Sequence, residues 1–408
     1  MNCITAHAEV AGSNPVDNAR KAVALIRDHL GGGEVGVVLF FASPNHYDAG
    51  TLARAMQQAF PQARTFGCSS AGELEGGRLR SNSVVAMAFT PDAFETVEVA
   101  AIADVDSSPG AVDAVFGRLE AKNGLRMSEL DFRAYFGLVL LDGMAKTVDR
   151  LVERMGELTD VIFAGGLAGD DANFKRTLVF CDGEVYTNGM VAALLKPKGR
   201  FALVKTQSIV PTGVSMVATK VDTERRIIYE FDGRPAAEVY AAAMGITIDR
   251  ESFKPDDSRC AADIMADDLN SRIRNTVPKD QFIKKFLEWP LALMIHGEPF
   301  IRAAATVTGD GGILTYLPPI EGVRYSVTRI TDVVAGTRKA LEDRRRELGG
   351  ISGIISVSCA LRAVQIKHEG MEDEFGEIFA GIPTVGFSSY GEIYVSAISQ
   401  TAVMVVFA

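Results

Sequence analysis

Seven residues, Gly67-Cys68-Ser69-Ser70-Ala71-Gly72-Glu73, return near the far end of this 408-residue chain as Gly386-Phe387-Ser388-Ser389-Tyr390-Gly391-Glu392. Both read Gly-x-Ser-Ser-x-Gly-Glu. Each follows a short extended segment, Arg64-Thr65-Phe66 or Pro383-Thr384-Val385, and each precedes an apolar run, Val84–Phe89 or Thr401–Phe407. Ala164-Gly165-Gly166-Leu167-Ala168-Gly169-Asp170 is a weaker third copy, with glycines but no hydroxyls. Glycines let such a loop turn sharply and approach a ligand closely. Two hydroxyls beside several backbone N–H groups make an anion nest, and the final carboxylate accepts hydrogen bonds from a ligand or from the loop itself. The plain alternative is a tight turn capped by its own glutamate. Finding the pattern twice weighs against that alternative, because ordinary turns tolerate many sequences.

The surroundings repeat as well. Val35–Phe41 reads as a buried strand, Asp48–Phe60 as a helix with Leu52, Ala55, Met56 and Phe60 facing in, and Arg64–Phe66 as a strand. Asn82–Phe89 and Phe94–Ile102 read as strands joined by the Pro91-Asp92 turn. A second instance runs from Tyr135–Leu141 through Val148–Leu158 and Asp160–Ala164 to the strand pair Lys175–Cys181 and Gly189–Leu195, turning at Asp182-Gly183. A third runs Gly353–Val357, Met371–Phe379, Pro383–Val385, the loop, Ile393–Ser396 and Thr401–Phe407. The expected class is therefore α/β (α+β), with mixed sheets built from repeated strand-helix-strand-strand units. Strand–helix–strand units make parallel pairs, so the loops gather at one sheet edge, the usual ligand edge. Ser43–Asp48 is then expected beside Gly67–Glu73, and Ser358–Arg362 beside Gly386–Glu392.

The length exceeds what one core usually fills, and two domains are expected, 1–200 with two repeat units and 201–408 with the third. The second half opens differently. Phe201–Gln207, Val214–Val221 and Arg225–Phe231 read as strands, and Ala236–Met244 as a short helix. Pro255–Asp280, carrying Asp256-Asp257, reads as a surface helix with loops. Leu291–Ile295, Phe300–Val307, Gly312–Tyr316 and Arg324–Val327 read as an antiparallel meander inserted before the third unit.

A net charge of -10 argues against nucleic-acid binding, which calls for a basic stripe. No apolar run approaches the ~18 residues of a membrane span. The five cysteines are scattered and never form C-x-x-C, which fits a reducing cytoplasm and neither a disulfide framework nor a structural zinc site. Ser69 and Ser70 complete no G-x-S-x-G elbow, because Ala71, or Tyr390 in the echo, stands where the last glycine belongs. Hydrolysis through the Ser-Ser-x-Gly-Glu loops is the competing enzyme reading. Cys68 and Cys359 have no basic neighbour to activate them and read as small packing residues.

Several segments carry a resemblance: Gly67–Glu73, Thr219-Lys220-Val221, Ile228–Ala236, Val239-Tyr240, Trp289-Pro290-Leu291-Ala292 with Ile301-Arg302, Ser358–Arg362, Gly386–Glu392 and Ser399-Gln400-Thr401. In this order they resemble the two halves of the FIST domain family. The resemblance implies a bacterial sensory module that binds a small ligand and signals to a separate histidine kinase or cyclic-dinucleotide enzyme. Some stand-alone members are haem proteins that sense nitric oxide. Cys68, Ser69, Ser70, Glu73, Ser388, Ser389, Tyr390 and Glu392 are the candidate ligand contacts. Arg362 either clamps a ligand carboxylate or pairs with Glu392. If haem is bound, His46 is the candidate axial ligand, since it stands in the loop expected to face Gly67–Glu73.

Overall fold

The computed structural model describes residues 2–31, 33–248, 261–273, 282 and 285–408. Asp256-Asp257 and Cys260 lie outside the described residues.

Alternating apolar residues place each of three units in the same order: strand, helix, strand, helix, strand, hairpin, strand. The first is β1 (Cys3–Glu9), α1 (Pro15–Leu30), β2 (Val37–Ala42), α2 (Ala49–Ala59), β3 (Arg64–Ser69), β4 (Glu73–Glu75), β5 (Arg78–Arg80) and β6 (Ser83–Phe89). The second is β7 (Phe94–Ile102), α3 (Ala111–Asn123), β8 (Phe136–Leu141), α4 (Val148–Leu158), β9 (Phe163–Leu167), β10 (Val179–Cys181), β11 (Glu184–Tyr186) and β12 (Met190–Pro197). The third opens with β13 (Phe201–Thr206). An insertion follows: β14 (Ile209–Asp222), β15 (Ile227–Phe231), β16 (Arg234–Pro235), α5 (Ala236–Ala243), α6 (Ala261–Ile273), β17 (Leu291–Ile295), β18 (Glu298–Arg302), β19 (Ala304–Val307), β20 (Ile313–Thr315) and β21 (Arg324–Ile330). The third unit resumes with α7 (Val333–Leu348), β22 (Gly353–Cys359), α8 (Ala360–His368), α9 (Glu372–Glu377), β23 (Thr384–Ser389), β24 (Glu392–Tyr394), β25 (Ser396–Ile398) and β26 (Ala402–Phe407).

Helix ends follow local chemistry. The Asn14 side chain accepts from Val16 N and Asp17 N at 3.0 and 3.3 Å with Pro15 at the first position, and Asp332 accepts from Val334 N and Ala335 N at 2.9 and 2.8 Å.

The three six-stranded sheets have one pattern. Their orders are β1-β6-β2-β3-β10-β11, β7-β12-β8-β9-β24-β25 and β13-β26-β22-β23-β4-β5. Within each, the two strands flanking the crossover helix are parallel: β2 with β3, β8 with β9, β22 with β23. The last two strands of every sheet come from another unit. The first unit's hairpin completes the third sheet, the third unit's completes the second, and the second unit's completes the first. β6 and β7 are strands joined at Pro91-Asp92, as read, and lie in different sheets. The cyclic exchange explains one departure from the sequence reading. Within the segment read as Lys175–Cys181, only Val179–Cys181 is strand, and it pairs with Glu184–Tyr186 across Asp182-Gly183, while β12 returns to the second sheet.

Each sheet is buried on both faces. Val37, Leu39 and Phe41 of the first, Phe136, Leu138 and Leu140 of the second, and Val403, Val405 and Phe407 of the third meet in one central core. Phe41 lies 4.6 Å from Phe387, and Phe407 lies 5.6 and 5.9 Å from Phe89 and Phe136. The outer faces are covered by helices, α1 and α2 on the first sheet, α3 and α4 on the second, α7 to α9 on the third. The insertion forms a separate eight-stranded sheet. No helix among the described residues is long and apolar enough to cross a membrane.

Candidate functional site

The repeated loops sit where a chain leaves its own sheet for the next. Ser70 Oγ donates to Glu73 Oε1, and Glu73 Oε2 accepts from Ser83 N at 3.2 Å and Ser83 Oγ at 2.6 Å. The echo repeats this atom for atom. Ser389 Oγ donates to Glu392 Oε1, and Glu392 Oε2 accepts from Thr401 N at 3.1 Å and Thr401 Oγ1 at 2.6 Å. Both carboxylates are buried. Burial raises Glu73 to about 8 and Glu392 to about 7, against the pull of the hydroxyl donors. The second unit replaces the pair with Asp142, which accepts from Thr177 Oγ1 at 2.5 Å and Asn188 N at 2.6 Å. Ser83 opens β6 and Thr401 immediately precedes β26, each just after a left-handed residue, Asn82 or Gln400; in the second unit Asn188 is itself left-handed and lies two residues before β12. A hydroxyl nine or ten positions after each glutamate is the sequence signal for this clasp, and it lies outside the seven-residue repeat.

The three loops bond to one another. Ala71 N donates to Ser388 O at 2.9 Å and Ser388 N to Gly72 O at 2.7 Å. Gly169 N donates to Ser69 O at 3.0 Å, and Asp171 N to Ser70 O at 3.1 Å. Leu167 N donates to Gly391 O at 2.7 Å, and Tyr390 N to Leu167 O at 3.1 Å. Tyr390 also donates its hydroxyl to Asp170 Oδ1, and Asp170 N donates back to that hydroxyl at 3.2 Å. The Tyr390 ring stacks on Phe174 at 3.9 Å. Asp170, outside the candidate set, is thus the second unit's contribution to the junction.

The remaining candidates divide. Cys68 is packed in the central core, where burial pushes its thiol well up. Ser69 Oγ accepts from Leu178 N at 2.9 Å. Ser388 lies beside Gly72 of the first loop. Ser389, Tyr390 and Cys359 line a small cleft of about 10 Å³ with Phe174, Tyr316 and Leu269 of α6. That volume is at the threshold for a single water. Tyr316 donates to Asp268 at 2.6 Å, and Arg272 Nε to the same oxygen at 2.8 Å, fixing α6 over the cleft.

Arg362 is not on a loop. β22 runs through Cys359 directly into α8, so Ser358–Arg362 is strand end and first helical turn. The guanidinium is fully buried, with Nη2 donating to Thr337 Oγ1 at 2.5 Å and Val333 O at 3.4 Å of α7. It forms no ion pair with Glu392, whose oxygens are taken by Ser389 and Thr401. Its Nε and Nη1 have no hydrogen-bond partner among the described residues, and burial lowers its pKa to about 10.

His46 also departs from its expected place. Its Nε2 lies 2.6 Å from Val10 O and 3.4 Å from Asn18 Nδ2, so the ring serves the β1–α1 connection and not the Gly67–Glu73 loop.

A family comparison decides what these units are. The FIST N domain matches residues 36–234 and the FIST C domain residues 261–395. The chain belongs to the FIST domain family. FIST domains are sensory modules of signal transduction. A further likeness is to an uncharacterized protein, MJ1623, of Methanocaldococcus jannaschii, 25% identical over 188 residues, which is 45% of this chain. The chain spans about a third of that relative's length, 36%. Among the described residues, the clefts of about 920 and 860 Å³ are lined by no histidine or cysteine, and Tyr47, at the second, donates its hydroxyl to Asn82 O at 3.0 Å.

Proposed function

We propose that this FIST protein is a cytoplasmic sensor that binds a small molecule at the three-loop junction and relays its arrival to a separate partner, a histidine kinase or a cyclic-dinucleotide enzyme. The observation that carries this reading is the cyclic strand exchange. Each loop is the hinge between two sheets, so a shift at Gly386–Glu392 moves strands in both the third and the second sheet. A ligand here touches Ser389, Tyr390 and Cys359 and takes the space Leu269 now fills. Ser388, Glu392, Ser69, Ser70 and Glu73 hold the loops in register, and Arg362 supplies a buried positive charge behind them. A ligand shifts such an equilibrium only by binding two states unequally, and displacement of Leu269 provides that difference.

A thermal-shift screen of the full chain against small metabolites tests it. At a hundredfold excess over Kd, the ligand is expected to raise the melting temperature by about 2–5 °C. Leu269→Trp, which fills the cleft, is expected to abolish the shift. A screen in which nothing stabilises the protein, or in which every hit keeps its effect in Leu269→Trp, contradicts the proposal.

A further inference from the structure

The first sheet carries an open cleft of about 860 Å³ at the edge where parallel β2 and β3 end. Its size is that of small-ligand sites, roughly 300–1,000 Å³. It adjoins the loop junction at Asp170 and shares none of the residues that line the small cleft there. Its walls come from two units: Pro44, Asn45, Tyr47 to Gly50 and Arg54 around the start of α2, and Asn173, Lys175, Arg176 and Glu184 from the segment the second unit lends to this sheet.

The cleft is lined by three cationic side chains and three carboxylates. Arg54, Lys175 and Arg176 form no ion pair with any described residue, although acidic residues outnumber basic ones in the chain, 52 to 42. Two of the three lining carboxylates are already engaged. Asp48 accepts from Thr51 N at 2.8 Å as the cap of α2. Asp170 accepts from Phe174 N, Lys175 N and Arg176 N at 2.7, 2.7 and 2.8 Å, and from Tyr390. Glu184 is the one left without such bonds among the described residues. Gly50 matters to the arrangement: a Cβ there would stand 3.3 Å from both terminal nitrogens of Arg54, so the guanidinium lies against the first turn of α2. Asn45 and Asn173 add neutral amides at the same wall.

In the second unit the loop leading into α4 is met by Asp106, which accepts from Lys146 N at 2.8 Å, Thr147 N at 3.1 Å and Thr147 Oγ1 at 2.9 Å. In the first unit the N–H of Asp48 donates instead to Pro15 O at 3.0 Å, and the cleft lies beside that contact, lined by Pro15 and Asp48.

We propose that this cleft is a second ligand site, specific for a small organic anion whose phosphate or carboxylate group is held by Arg54, Lys175 and Arg176. Charged hydrogen bonds to such groups are the strong ones, and arginine meets both anions in a two-pronged fashion.

Titration calorimetry of the full chain with inorganic phosphate and, separately, citrate tests the proposal. Saturable binding of at least one probe is expected, weakened about tenfold in Arg54→Gln and in Arg176→Gln. Both residues are exposed, and unchanged melting curves of the variants establish that folding is intact. Arg20→Gln, on the outer face of α1, is expected to bind as the wild type does. Tighter phosphate binding assigns a phosphate-bearing ligand, and tighter citrate binding a carboxylate-bearing one. Leu269→Trp is expected to leave this binding unchanged, so that failure here and failure of the loop-junction reading are told apart. No saturable binding of either probe, or equal weakening in Arg20→Gln, overturns the proposal.

Discussion

Gly386→Ala is expected to destabilise the protein by about 3 kcal/mol or more, read from the urea midpoint. A Cβ on Gly386 would stand 2.0 Å from Ser356 O on the parallel neighbour β22. That atom is backbone in the middle of a sheet and cannot swing aside, so the two strands must part. The same holds at the matching place in each unit. A Cβ on Gly67 would meet Phe40 O at 1.7 Å, and one on Gly165 would meet Val139 O at 1.8 Å. Gly67→Ala and Gly165→Ala are expected to cost about as much. Gly117 in α3 is the control, since a Cβ there meets nothing within 4 Å. Gly117→Ala is expected to be neutral or to stabilise by up to about 1 kcal/mol. The first glycine of the repeat is therefore required by strand spacing.

The buried glutamates give the second large effect. Both have folded-state pKa values above the ordinary 4.5, about 8 for Glu73 and about 7 for Glu392. Between these limits the folded chain keeps protons that the unfolded chain has released. The contribution of these two groups is thus fully present below pH ~4.5 and is lost as pH rises through 7 and 8, by up to about 1.4 kcal/mol per pH unit for each group. Asp142 and Asp171, raised by burial, add to the same slope. Urea midpoints at pH 5, 6, 7 and 8 are expected to decline steadily. In the Glu73→Gln, Glu392→Gln double variant, where an amide stands in for the protonated acid, the decline is expected to flatten. A wild-type midpoint that rises from pH 5 to pH 8 contradicts the buried-carboxylate reading.

Much of the fold was legible because its signals are local. Strand–helix–strand order, the two loops and the inserted antiparallel strands all follow from short-range apolar spacing and turn residues. The strand exchange was not legible. β4, β5, β10, β11, β24 and β25 are three residues each, too short for a period to show, and their partners are set by packing between units. β1 was passed over because Cys3-Ile4-Thr5-Ala6-His7-Ala8-Glu9 alternates with small residues in place of large ones. Arg362 reads as a loop residue because no helix start marks Ala360, where α8 follows its strand with no side-chain cap. His46 stands in a loop by sequence, while its partner Asn18 belongs to a helix whose packing the sequence does not reveal. The Ser–Glu spacing is visible in the repeat, but its closing partners, Ser83 and Thr401, lie beyond it.

The sensor reading rests on the three loops moving as one junction, and hydrogen exchange on the full chain measures this directly. Tyr390→Phe removes one hydroxyl, the one shared with Asp170, and leaves the ring stacked on Phe174. The expected result is faster amide exchange in 386–392, in 165–171 and also in 67–72, a loop that the Tyr390 hydroxyl does not bond. Faster exchange confined to 386–392 and Asp170, with 67–72 unchanged, would contradict a coupled junction.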